Sequence, residues 1–264
     1  MSNILSVYSE TMNPKVFFVL AFAAIASASP VPAEFDPFIV GGTNAANGQY
    51  PYQVSLRASG SHFCGGSIIN NRWVLSAAHC TIGRAQNAVT IVVGSVLLNA
   101  GGATHTSSRI INHPSYNSQT IANDVSVVQT ASTIVFNTNV RAIPLGSIQI
   151  GGGVNSILTG WGSTSTIGVG SVPNNLQQLS TTTLTNADCR SRFSATNAAN
   201  VFDHKICTFT QQGQGACRGD SGGPLVASGQ QIGTVSWGIP CARGSPDVFD
   251  RVSHFRTWIL NSIA

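Results

Sequence analysis

From residue 39 onward the chain is written in short runs of alternating polar and apolar residues, and that period of two excludes most architectures at once. YQVSLRA (52–58), HFCGGSII (62–69), VTIVVGSVLL (89–98) and DVSVVQTA (124–131) are separated by Gly, Asn and Ser turns, the spacing of an antiparallel barrel or sandwich. A second set follows the Gly-rich break at 151–153: NSILTGWG, QQLSTTTL, KICTFT and GGPLVASGQQIGTVSWGI. Two all-β units of similar size are expected. Only the end has a helical period, with Val252, Phe255, Trp258, Ile259 and Ile263 recurring at three- and four-residue spacing on one face. That face suits docking on the body of the protein, not anchoring in a membrane.

The 264 residues are 42% hydrophobic and only 8% charged, enough apolar weight to bury a core and too little charge for a disordered chain. The longest apolar run, Val16 to Ile25, is too short to span a bilayer. It follows Lys15 and precedes Ala26-Ser27-Ala28, so residues 1–28 read as a secretory signal peptide, with Met12 a plausible start because Glu10 sits badly in a signal. An extracellular, oxidising destination makes Cys64, Cys80, Cys189, Cys207, Cys217 and Cys241 three disulfides, with fifteen pairings open. No CxxC or His/Cys cluster points to zinc, and no metal is expected. Beyond residue 38, eleven Arg and one Lys face six Asp; the cations are scattered singly without interleaved aromatics, which argues against a nucleic-acid partner.

GACRGDSGGP (215–224) sets one serine among four glycines, within an Arg-Gly-Asp-Ser run. It admits a nucleophile, an adhesion motif or a tight turn. A serine hydroxyl needs a base to take its proton and a third group to hold that base. Between Ile39 and Ala187 the only acidic side chain is Asp124, at the mouth of an apolar strand, where a carboxylate is either a turn cap or employed. Among six histidines, His62, His105, His113, His204 and His254 lie in polar stretches expected to be exposed, whereas His79 ends WVLSAAHC beside Cys80. The stretch also fits the Gly-x-Ser-x-Gly nucleophile elbow, but Gly222-Gly223-Pro224 would break the helix an elbow requires, and the only histidine downstream, His254, is 33 residues away in the terminal helix. The order His79, Asp124, Ser221 remains.

AAHC, the Asn-Asp of NDVSVV, GDSGGP, TGWG, SWG and IVGG at 39–42 together resemble the chymotrypsin-type serine peptidases, over essentially all of residues 39–264. The resemblance implies an all-β fold of two perpendicular six-stranded antiparallel barrels, about 39–147 and 148–264, with a C-terminal helix. It implies a secreted serine endopeptidase in which Ser221 is the nucleophile, His79 the base and Asp124 its orienting acid, with the N–H groups of Gly219 and Ser221 as the oxyanion hole. It pairs Cys64 with Cys80, Cys189 with Cys207 and Cys217 with Cys241. It also pairs the amine freed at Ile39 with Asp220, and a buried, paired Asp220 leaves no adhesion motif to present. Protein or peptide substrates and protein inhibitors are the expected partners of what should be a monomer. No cofactor is needed, and the absence of acidic side chains from 39 to 123 leaves nothing to build a calcium loop.

Two departures bear on use. Phe38 stands where trypsin-activated relatives carry Arg or Lys, so residues 29–38 are expected to be an activation segment removed by a peptidase that prefers aromatic residues, or by the enzyme itself. Gly215 stands where trypsins carry the pocket Asp, while Asp247 in GSPDVFD supplies an acid from the opposite wall and Gly238 leaves the mouth open. This combination is similar to broad-specificity, brachyurin-like arthropod enzymes and implies cleavage after Phe, Tyr and Leu, with less after Arg or Lys. Elastase-like or collagenolytic specificity is the variant reading. Ser236, Trp237 and Gly238 are expected to pair with substrate main chain as an added strand. Digestion is the expected role; a venom or allergen protein acting by binding is the alternative from another class. Arg218 is left without a role.

Overall fold

The computed structural model describes residues 39–164, 172–239 and 241–264; the expected signal and activation segments lie outside the described residues. Six strands close the first barrel: β2 (Gln53–Ala58), β3 (Ser61–Ile68), β4 (Trp73–Ser76), β5 (Thr90–Val93), β6 (Ala103–Asn112) and β7 (Ser126–Thr130), in the order β2-β3-β4-β7-β6-β5. Six more close the second: β8 (Asn155–Gly160), β9 (Gln177–Leu184), β10 (Lys205–Thr208), β11 (Pro224–Ala227), β12 (Gln230–Gly238) and β13 (Asp247–Arg251), in the ring β8-β9-β10-β13-β12-β11. Every pairing between these strands is antiparallel.

The two barrels use the same local device. A Ser-Gly dipeptide joins β2 to β3 and another joins β11 to β12, with φ of 49° and 82° at Ser59-Gly60 and 49° and 72° at Ser228-Gly229. Two consecutive positive φ values make the tight hairpin turn whose twist matches the strands, and glycine takes the second at no steric cost. The alternation seen in the sequence then fills the interiors. Val54, Leu56, Ile68, Val74, Ile91 and Val128 pack the first barrel; Leu158, Leu179, Ile206, Leu225, Val235 and Phe249 pack the second.

The two ends of the 39–264 region exchange barrels. A short strand β1 (Thr43–Asn44) pairs with β9, and Ile39 is fully buried in the second barrel's core. Helix α4 (Val252–Ser262) follows β13 yet buries Val252, Phe255 and Ile259 against Trp73, Leu75, Val125 and Val127 of the first, with Trp258 and Ile263 packed alongside. The apolar stripe thus docks as expected, and no described helix is long and apolar enough to cross a membrane.

Helix is not confined to the end, contrary to expectation. Helices α1 (Ala78–Thr81), α2 (Asn186–Ser191) and α3 (Ala195–Ala198) are too short to show a period. Only α2 had a readable signal: the Thr185 hydroxyl accepts the Asp188 N–H at 3.1 Å, the T-x-x-D cap.

Candidate active site

Helix α1 is held by the Cys64–Cys80 disulfide and places His79 at the first barrel's edge, its side chain 27% exposed. Asp124 precedes β7 and is fully buried. Its Oδ1 accepts the His79 main-chain N–H and its Oδ2 accepts His79 Nδ1–H, each at 2.7 Å. The carboxylate therefore fixes both the position and the tautomer of the imidazole, leaving Nε2 for chemistry. The turn-cap alternative for Asp124 falls, because both oxygens are committed to His79 and a second partner.

That partner is the Ser236 side chain, whose hydroxyl donates to Asp124 Oδ2 at 2.7 Å. The β12–β13 register slips between Val235 and Trp237, and a bulge of this kind re-aims a side chain. Sequence reasoning assigned Ser236 only through its main chain.

Ser221 comes from the second barrel and is joined to the first: its carbonyl accepts Gly65 N–H at 2.8 Å. The next residue, Gly222, lies so close to the junction of β4 and α1 that a Cβ there would sit 3.0 Å from Ala77 N and 2.2 Å from Ser76 Oγ. The loop thus holds Ser221 against β3 and the residues that lead into α1. No Ser221–His79 hydrogen bond is formed among the described residues; such bonds are often long in unliganded sites and tighten with substrate. The segment after Ser221 runs into strand β11, as expected of a chain with no nucleophile elbow.

Neither Gly219 N–H nor Ser221 N–H donates a hydrogen bond among the described residues. Gly219 has φ 103°, which a side chain would resist, and its carbonyl accepts His62 Nε2–H at 3.0 Å. Burial pushes His62 down to about 4, the Gly219 carbonyl opposing and Arg57 adding to it, so the ring is neutral near pH 7. A neutral ring donating from Nε2 accepts at Nδ1, here from Ser55 Oγ at 2.9 Å, which itself accepts Arg57 Nε–H at 3.0 Å. His62 is therefore not exposed, and neither is His105, which is buried with Nδ1 2.8 Å from Ser132 Oγ. Gly219 and Trp161 of the second barrel cover His62.

Asp220 is fully buried, so the Arg-Gly-Asp tripeptide presents no acid to a receptor. Its Oδ1 accepts Gly162 N–H at 2.7 Å and its Oδ2 accepts Cys217 N–H at 2.9 Å. A Cβ at Gly160 or Gly162 would lie 2.1 Å from a carboxylate oxygen, which explains both glycines of TGWG. Burial pushes Asp220 up to about 7 against the two N–H groups.

The three expected pocket residues meet. Ala216, Ser221, Val235, Trp237, Gly238 and Asp247 line a cavity of about 180 Å³, a hollow the size of a side chain. Asp247 Oδ2 accepts Ala216 N–H at 2.8 Å, and a Cβ on Gly215 would lie 2.6 Å from that oxygen. Glycine at 215 is what lets the acid reach across. Burial raises Asp247 to about 7, the Ala216 N–H opposing and Asp220 adding to the rise. The Cys217–Cys241 disulfide closes the loop, and Cys189–Cys207 completes three bridges in the expected pairing. Among the described residues no β11 partner pairs with β12 beyond Thr234, which leaves one edge of Ser236–Gly238 for an added strand. The sulfurs of Cys64 and Cys80 beside His79 are tied in their disulfide and offer no thiolate to a metal.

A family model described as Trypsin matches residues 39–259. Chymotrypsin-2 of Vespa crabro is 47% identical over 222 residues, covering 84% of this chain and 98% of that protein. A trypsin of Xenopus laevis is 40% identical over 251 residues, 94% of this chain and 98% of that protein. Trypsin Blo t 3 of Blomia tropicalis is 39% identical over 261 residues, 93% of this chain and 97% of that protein.

Proposed function

The chain belongs to the trypsin family of serine endopeptidases, and we propose that within it Ser221, His79 and Asp124 form the catalytic triad of a secreted, chymotrypsin-like enzyme made as a zymogen. The observation that carries this reading is the fully buried Asp124 holding His79 by both oxygens at 2.7 Å, with the Ser221 carbonyl tied to Gly65 of the same barrel supporting it.

Ser221 Oγ attacks the scissile carbonyl as His79 Nε2 takes its proton, and the imidazolium, stabilised by Asp124, returns that proton to the leaving amine. The uncommitted N–H groups of Gly219 and Ser221 receive the oxyanion, one such donor contributing about 3 kcal/mol to the transition state. Water then enters by the same route in reverse, releasing the acyl group.

Activation follows from the burial of Ile39 and Asp220 in the same barrel. Cleavage after Phe38 frees an amine that pairs with the Asp220 carboxylate and orders the oxyanion loop; the family match beginning at Ile39 supports this boundary. The pocket favours Phe, Tyr and Leu, with Asp247 admitting Arg and Lys as lesser substrates. Protein substrates and protein inhibitors of serine peptidases are its partners.

A fluorogenic peptide assay on the processed protein, with and without a serine-directed covalent inhibitor, tests the chemistry; silence after correct processing at Ile39 would favour a binding role. A cleavage-site profile on a peptide library tests the pocket, and strict Arg/Lys preference would sink it. Loss of the leading segment by an isolated Ser221→Ala proform would refute self-activation.

A further inference from the structure

We propose that Lys205, which lies outside every catalytic motif of the chain, is a positioning residue that directs the Ser236 hydroxyl at Asp124; this rests on the triad reading above. Lys205 and its β13 partner Asp250 are both fully buried. The ammonium makes three contacts, to Asp250 Oδ2 at 2.9 Å, Ser236 Oγ at 3.1 Å and the Ile121 carbonyl at 2.7 Å, which satisfies all three of its donors.

A lysine ammonium only donates, an ionised carboxylate only accepts, and a serine hydroxyl has one proton and two lone pairs. Because Ser236 receives a hydrogen from Lys205, its own proton is left to point at Asp124 Oδ2, 2.7 Å away. Without the cation the hydroxyl is a free rotor, and the second acceptor contact on the triad acid is no longer set in advance. Both links have an ionised end, and bonds in series polarise one another in a low-dielectric interior.

The third donor acts on the same acid from the other side. Ile121 and Asn123 both have φ 53°, a region that a β-branched residue such as isoleucine resists, and the loop they form delivers Asp124. Lys205 holds that loop by its Ile121 carbonyl. A bystander lysine would be neutralised by Asp250 alone; here two of three donors go to groups that place Asp124. Asp250 keeps the buried cation compensated, its other oxygen 3.4 Å from His204 Nδ1.

The test uses processed enzyme, with kcat expressed per site titrated by a serine-directed covalent inhibitor, so that misfolded protein drops out. Lys205→Met combined with Asp250→Asn removes both charges together; kcat is expected to fall about tenfold with KM unchanged. Ser236→Ala should lower kcat similarly in the parent and add little in that double variant. Lys205→Gln with Asp250→Asn keeps a neutral donor toward Ser236, guards against failure to fold, and should recover most of kcat. Parental kcat in the Met variant, additive losses, or equal losses in the Met and Gln variants would overturn the role. Asp124→Asn and Ser221→Ala controls separate the two readings: if they too retain full turnover, the triad reading fails and takes this role with it, whereas if they are silent only the Lys205 role is lost.

Discussion

Four carboxylates lie at the heart of this molecule, and they divide by what they face. Around the base, Asp124 meets His79 and Asp250 meets Lys205, each partner supplied by the fold. Around Ser221, Asp220 and Asp247 are also buried, but among the described residues their carboxylates accept hydrogen bonds only from main-chain N–H groups. Burial pushes both of these up to about 7. The difference teaches where the protein is finished and where it waits. On the proposed reading the base is assembled by folding alone, whereas Asp220 on the Ser221 loop and Asp247 at the start of β13 are acids whose cations arrive later, one from the amine freed at Ile39 and one from a basic substrate. An acid left without a cation in a dry site is costly, which makes both places responsive to what enters.

The largest test removes a finished acid. Asp124→Asn should leave the fold intact and lower kcat about 10⁴-fold, because the amide no longer selects the productive imidazole tautomer; steady-state kinetics on titrated enzyme reads it. Asp220→Asn should cost about a hundredfold in kcat/KM, since it disorders the oxyanion loop without touching the base. The same acid makes stability depend on processing. With its pKa raised from near 4 to about 7, the folded proform binds more protons than the unfolded chain across that window, so Asp220 makes stability fall as pH rises through it. Cutting a Ser221→Ala proform after Phe38 with an added aromatic-preferring peptidase should therefore raise Tm more at about pH 7.5 than at about pH 5, and an equal gain at both would break the comparison.

A smaller effect is expected at the pocket. Asp247 is mainly protonated below about 7, so the ratio of cleavage after Arg to cleavage after Phe should rise several-fold as pH passes upward through that value, and Asp247→Asn should flatten the dependence. The smallest belongs to an acid that needs nothing. Asp203 pairs with Arg190 at 2.8 Å but its side chain is 94% exposed, and Asp203→Asn should leave Tm unmoved in a thermal melt.

Much of the site was legible because its chemistry requires particular residues in particular neighbourhoods. AAHC and NDVSVV named His79 and Asp124, which the structure joins by two hydrogen bonds, and GDSGGP named Ser221; the cysteines, open to fifteen pairings by count, close in the three pairs that the family resemblance implied. Gly215 and Asp247 are 32 positions apart in sequence, yet their pairing across the pocket was expected from the same resemblance. What stayed hidden acts through geometry. Ser236 serves Asp124 because a bulge turns it, and His62 reaches Gly219 because β3 lies under the nucleophile loop. Lys205 sits in KICTFT as an ordinary surface lysine would, and nothing in its neighbours announces that it is fully buried.

By itself the sequence determined the strand period, the turns, the docking stripe of the last helix and the candidates for the reacting groups, since these follow from local sterics and from which side chains can do the chemistry. Only the tertiary structure decided that the two ends of the 39–264 region cross to the opposite barrels, which acids find a cation inside the fold, and which serine stands behind Asp124. Those outcomes depend on distances between residues far apart in sequence, and closing the barrels is what sets them.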